Sequence, residues 1–109
     1  MTRTRLTPDA LALVGEQFKV LGEPARLEIL HALRGGERTV TALVEQTGHG
    51  QGNVSKHLQV LYAHGFVTRR KDGLHVRYAL ADRSVFRLCD IMCGRLDRHI
   101  AARRGLLAS

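Results

Sequence analysis

Apolar positions recur along this chain at helical spacing in several stretches and at strand spacing in one. Leu11, Val14, Phe18 and Leu21 form the first helical series. Thr7 is placed to cap it, Pro8 occupies its first position and Gly22 stops it. Pro24 opens a second helix with Leu27, Leu30 and Leu33 on one face, closing at Gly35-Gly36. Thr39 caps a short third helix through Val40, Leu43 and Val44 that ends at Gly48. A fourth begins near Gly50, buries Val54, Leu58 and Leu61, and stops at Gly65. The period then changes. Phe66 to Lys71 and Leu74 to Leu80 alternate as strands do, and Asp72-Gly73 between them suits a tight primed turn, which predicts a hairpin. From Asp82 onward a last helix carries Val85, Leu88, Cys89, Met92, Cys93, Leu96 and Ile100 along one broad stripe. The expected fold is mainly α with a small β-hairpin, in the order helix, helix, helix, helix, strand, strand, helix.

The third and fourth helices are joined by a few glycine-rich residues, the helix-turn-helix pattern. With Val54, Leu58 and Leu61 turned inward, Gln51, Asn53, Ser55, Lys56 and His57 are left to face outward or toward the leading end of the fourth helix. Gln and Asn make bidentate contacts to adenine, Ser reaches a base or a phosphate, and Lys favours guanine or phosphate. The alternative is an ordinary solvated face. Such a face usually pairs Glu with Lys, and no acid occurs from Gly48 to Lys71. For His57 a hydrogen-bonded place beneath the helix competes evenly with a DNA contact. In the hairpin, Arg69, Arg70 and Lys71 form a basic cluster at the tip and Arg77 lies on the returning strand. This charge fits phosphate or minor-groove contact, and it also guards an exposed edge against aggregation.

Composition narrows the field. The chain of 109 residues suits a single domain spanning 1–109. Seventeen Lys and Arg against ten Asp and Glu give a net charge of +7, which favours a polyanionic partner such as nucleic acid, although a generally basic surface would give the same balance. No apolar run approaches the roughly 20 residues of a membrane span. The first residues, MTRTRLTPDA, lack the apolar segment of a signal peptide. Two cysteines without an export signal point to reduced thiols and a cytoplasmic location. An enzyme is not expected: no nucleophile stands at a plausible spacing from a base, and the glycines at 48, 50 and 52 lack a phosphate-binding lysine.

The segments FKVLGEPARLEILHAL and GNVSKHLQVLYAHGFVTRRKDGLHVRYAL, with a Val-Ser-x-His-Leu core at Val54 to Leu58 and an Arg-Lys-Asp-Gly wing, resemble the ArsR/SmtB winged-helix repressors of bacteria and archaea. The resemblance runs from about Phe18 to Leu88, and its motifs are specific in combination. It implies a winged helix-turn-helix repressor, homodimeric through the first and last helices at about 8–21 and 82–105. Two recognition helices would read a palindromic double-stranded DNA operator, and an inducer would release it. The family's best-known inducer sites are incomplete here. A thiol site at the third helix would need cysteines within Arg38 to Ala42, where the chain reads RTVTA, and a zinc site on the last helix would open Asp-x-His, where Asp82 is followed by Arg83 and Ser84.

What remains is Cys89-x-x-x-Cys93, with both sulfurs on one face of the last helix about one turn apart. Together they could ligate a soft inducer ion such as arsenite, cadmium or zinc, and two-fold symmetry could add a partner's thiols. Oxidation, persulfidation or cross-linking between subunits are further routes, whereas an intrahelical disulfide is a poor fit. The competing reading makes both cysteines small apolar residues of a dimer core. Histidines 31, 49, 64, 75 and 99 form no ligand spacing; His99 is the one candidate for an additional ligand, and an ordinary solvated histidine is the better reading of it. A second function class stays open: a winged-helix protein-interaction module, or a DNA binder with no inducer and structural cysteines.

Overall fold

Caps and glycines set the element boundaries in the computed structural model, which describes residues 6–100. The helices are α1 (Pro8–Leu21), α2 (Pro24–Ala32), α3 (Val40–Thr47), α4 (Gln51–Ala63) and α5 (Ser84–Ile100). The strands are β1 (Arg38–Thr39), β2 (Val67–Asp72) and β3 (His75–Leu80). Residues 101–105, the end of the expected dimerisation segment, lie outside the described residues. Thr7 and Thr39 cap α1 and α3, each hydroxyl accepting from a backbone N–H three residues on, Ala10 at 3.1 Å and Ala42 at 3.2 Å. Gly48 ends α3 in the left-handed conformation at φ 78°, which leads directly into α4. The second helix stops at Ala32, and a single 3-10 turn (Leu33–Gly35) carries the chain on to Gly36.

The core lies where α2, α3 and α4 meet. Ile29, Leu30, Leu43, Val54, Leu58 and Leu61 have no accessible surface, and Val67, Tyr78, Val85 and Phe86 close the cluster from the sheet and α5. The inward residues expected on the fourth helix are therefore the ones buried.

Two features of the sheet differ from expectation. The hairpin gains a third strand: β1 runs antiparallel to β3, with Arg38 opposite Tyr78 and Thr39 opposite Arg77, in the order β1-β3-β2. A strand of two residues is too short to show alternation, so it leaves no periodic signal. The turn also moves by one residue. Asp72 pairs with His75 across the strands, so the loop is Gly73-Leu74 and not Asp72-Gly73. Only Gly73 takes a positive φ, at 64°, which is the pattern of a type II′ turn. Asp72 also makes an ion pair to Arg77 on β3, with Nε to Oδ2 at 2.6 Å. Leu74, the other loop residue, is fully exposed.

Outside this core, α1 is bare over most of its length. Leu11, Val14 and Phe18 are exposed, as are Leu88, Ile91, Met92 and Leu96 on α5. An apolar cavity of about 410 Å³ lies between these helices and α2, with Phe18, Leu21, Leu27, Leu88, Cys89 and Met92 among its walls.

Leu58→Ala should lower unfolding free energy by about 2–5 kcal/mol, since it opens a void in a site with no solvent access. Thr39→Ala should lower it by about 1 kcal/mol through loss of the α3 cap. Urea denaturation followed by circular dichroism measures both, and equal effects for the two would contradict this account of the core.

Candidate nucleic-acid interface

The helix-turn-helix is α3 and α4, joined by Gly48, His49 and Gly50. Burial of Val54, Leu58 and Leu61 fixes the roll of α4, so its opposite face must be solvent-facing. Lys56 is exposed on that opposite face, Asn53 is exposed and Ser55 half-buried on its flanks, and Gln51, in line with Leu58, is exposed at the leading end of the helix. Gly50 precedes the helix without a side-chain cap, which leaves backbone N–H groups free at its leading end. Lys56 makes no salt bridge among the described residues.

His57 is different. It is half-buried, and its Nδ1 accepts a hydrogen bond from Arg26 Nε on α2 at 3.2 Å. Of its two sequence readings, the structure displays the internally bonded one. Burial and the neighbouring Arg26 charge hold its pKa below the ordinary histidine range.

The basic residues of the hairpin separate into two groups because strand side chains alternate in direction. Arg70 on β2 and Arg77 on β3 stand opposite one another on the outer face, and each is neutralised by an acid. Arg70 makes a two-pronged contact to Glu37 at 2.7 and 2.8 Å, and Arg77 pairs with Asp72. These partners hold the Glu37 and Asp72 carboxyls below their usual range. Arg69 and Lys71 project from the other face. The Arg69 guanidinium lies 4.0 Å from the ring centre of Tyr62, in the last turn of α4. This stacking orients the cation without cancelling its charge. Lys71 is exposed, and among the described residues it has no carboxylate partner. Lys56 on α4, and Arg69 and Lys71 on one face of β2, are thus cations with no carboxylate partner among the described residues. The expected cluster of Arg69, Arg70 and Lys71 is divided between the two faces of the hairpin. These three also lie in β2, not at the tip, which Gly73 and Leu74 form.

Sequence reasoning missed Arg26, Glu37 and Tyr62. Arg26 and His57 are 31 residues apart and Glu37 and Arg70 are 33 apart, so neither pair leaves a local spacing. An exposed aromatic in the last turn of a polar helix was the one available signal for Tyr62.

On α5, Cys89 is half-buried at the apolar cavity and Cys93 is exposed. Burial, with Cys93 and Asp90 nearby, pushes the Cys89 thiol pKa up. Asp97, one turn past Cys93, has a buried Oδ1 with no hydrogen-bond partner among the described residues. No group of three or more His, Cys, Asp or Glu among the described residues is gathered tightly enough to hold a metal ion. The described residues of one chain therefore offer two soft thiols and no complete ligand shell. Asp82, where the family's zinc site would begin, instead caps α5, its Oδ1 accepting from Ser84 N at 2.8 Å and Ser84 Oγ at 2.5 Å.

No described helix is long and apolar enough to cross a membrane. The family described as "Bacterial regulatory protein, arsR family" matches residues 23–69, from the start of α2 into β2. The transcriptional regulator NmtR of Mycobacterium tuberculosis is 36% identical over 105 residues, covering 89% of this chain and 88% of its own. The probable mercury resistance operon repressor of Streptomyces lividans is 42% identical over 65 residues, 60% of this chain. The chain spans only 52% of that repressor's length. A homodimeric winged helix-turn-helix DNA-binding domain from Mycobacterium bovis, solved by solution NMR, superposes with a TM-score of 0.73 at 31% identity, covering 92% of this chain and 93% of that domain. On the strength of the full-length similarity to NmtR, the helix-turn-helix match and the shared architecture, this chain belongs to the arsR family of bacterial regulatory proteins, winged helix-turn-helix regulators and not enzymes.

Proposed function

We propose that the chain is a cytoplasmic, homodimeric transcriptional repressor that binds a palindromic double-stranded DNA operator and is released by a thiol-directed inducer. The observation that carries the DNA reading is the exposed, acid-free face of α4 beside the uncancelled cations Arg69 and Lys71. Gln51, Asn53 and Ser55 would read base edges, while Lys56, Arg69 and Lys71 would meet phosphates. Arg70 and Arg77 would contribute less, because each must first leave a carboxylate. The exposed apolar stripes of α1 and α5 support dimerisation, since a second copy would cover them. The M. bovis neighbour is itself homodimeric. Pairing of this kind sets two recognition helices roughly 34 Å apart, one turn of DNA.

The inducer reading rests on Cys89 and Cys93. Two thiols one turn apart suit a soft ion such as arsenite, cadmium or zinc, and the partner's pair would complete the shell. The S. lividans relative is named for mercury resistance, which supports a soft-metal inducer. The raised Cys89 pKa means that binding would release a proton, so affinity would rise with pH.

Fluorescence anisotropy against a selected operator and a scrambled duplex tests the DNA reading. Gln51→Ala and Asn53→Ala should narrow the gap between the two duplexes. Lys71→Ala and Arg69→Ala should weaken both and lower the salt slope by about 1 each. Arg70→Ala and Arg77→Ala should change that slope less. Unaltered sequence preference in the Gln51 and Asn53 variants would refute the assignment.

For the inducer, the double variant Cys89→Ser, Cys93→Ser should bind operator normally and ignore arsenite, cadmium and zinc. A hundredfold loss of operator affinity in the wild type corresponds to about 2.7 kcal/mol of coupling. Release of the double variant by any of these ions would move the sensor elsewhere and leave the cysteines as core packing.

A further inference from the structure

Arg26, half-buried in the first turn of α2, joins two elements far apart in the chain. Its Nε donates to His57 Nδ1 on α4 at 3.2 Å, and its Nη1 donates to the Val20 carbonyl at the end of α1 at 3.0 Å. That carbonyl is among the last of α1, which lack partners within the helix. The guanidinium satisfies it and places positive charge at the helix's negative end. Because the guanidinium is planar and its donors are fixed relative to one another, a shift of one partner is felt by the other. Nδ1 accepts only when it carries no proton, so the ring is neutral with its hydrogen on Nε2. A protonated ring has donors on both nitrogens, and the link is lost.

We propose that Val20, Arg26 and His57 form a positioning relay that ties the orientation of α4 to that of α1, and that protonation of His57 opens it. Neither side chain contacts DNA in this role. The DNA consequences rest on the reading of α4 given above, whereas the coupling is a property of the free protein. The charged and titratable groups around the ring are Arg26 and Glu23 at the start of α2, His49 in the turn before α4, and Lys56 on α4 itself. Burial and Arg26 lower the ring's pKa and Glu23 opposes them. The relay is therefore closed at neutral pH and opens only below the ordinary histidine value of about 6.5. The sign is diagnostic. Added histidine charge strengthens the binding of a basic protein to any DNA as pH falls. An opened relay weakens operator binding over the same range while binding to scrambled DNA holds or rises.

The test has two arms, both on the full chain. Without DNA, NMR follows the His57 ring nitrogens and the Val20 carbonyl carbon from about pH 8 to pH 5. The Val20 resonance should titrate with His57 in the wild type and lose that response in Arg26→Met. With DNA, His57→Leu should bind operator about tenfold more weakly with little change on scrambled duplex. His57→Asn, whose Oδ1 can accept near the position of Nδ1, should keep operator affinity and lose its acid sensitivity. A Val20 carbonyl indifferent to His57 in the wild type would overturn the relay. So would a His57→Asn variant with the wild-type pH profile, or a His57→Leu variant with wild-type operator affinity. A wild type that prefers no duplex would instead overturn the DNA reading, leaving the NMR arm to decide the coupling.

Discussion

Burial of one face of α4 is the constraint on which the rest of the molecule depends. Val54, Leu58 and Leu61 are sealed against α2 and α3, and a helix held along that line has no freedom to roll. Gln51, Asn53 and Lys56 are consequently presented as a fixed set, oriented before any ligand arrives. The glycine-bounded turn and the Thr39 cap serve the same end, because they place α3 where Leu43 completes the seal. The chemistry of the exposed face is cheap to vary, since none of it contributes to the core. The buried face is not.

Electrostatics around this helix are more discriminating than a net charge of +7 suggests. The outer face of the sheet is an alternation of opposite charges in which Glu37, Arg70, Arg77 and Asp72 neighbour one another. The face that carries Arg69 and Lys71 keeps its charge. The hairpin is thus sided: one surface is close to neutral, the other cationic and steered by an aromatic ring. Exposed pairs of this sort add little to stability. Their effect is to decide which cations are available.

The sequence exposed the helices well and the sheet less well. Thr7, Thr39, Gly48 and Gly65 act locally, through capping hydroxyls or left-handed backbone, so the residue type alone reveals a boundary. Apolar spacing likewise gave the inward face of α4 correctly. Most of what escaped depends on a partner distant in the chain. The strand β1 exists only because β3 accepts it, whereas the turn at Gly73-Leu74 is a local shift of one residue, with Asp72 paired to His75 across the strands. The candidate site was readable as a set of residue types on one helix and one hairpin. Its division into free and neutralised arginines was not, since Glu37 lies in a different part of the sequence. His57 shows the same limit, because its neighbour Arg26 had no feature to single it out.

The bareness of α1 carries a consequence for how the chain behaves at low abundance. Its 14 residues are near the length at which an isolated helix is marginal in water, and only Val20 and Leu21 are buried by the rest of the chain. A helix so placed draws most of its order from whatever covers it. If that cover is a second copy, folding of α1 and self-association are one equilibrium governed by mass action. The cell's copy number then becomes a determinant of native structure, and dilution alone would melt the segment to which Arg26 is anchored.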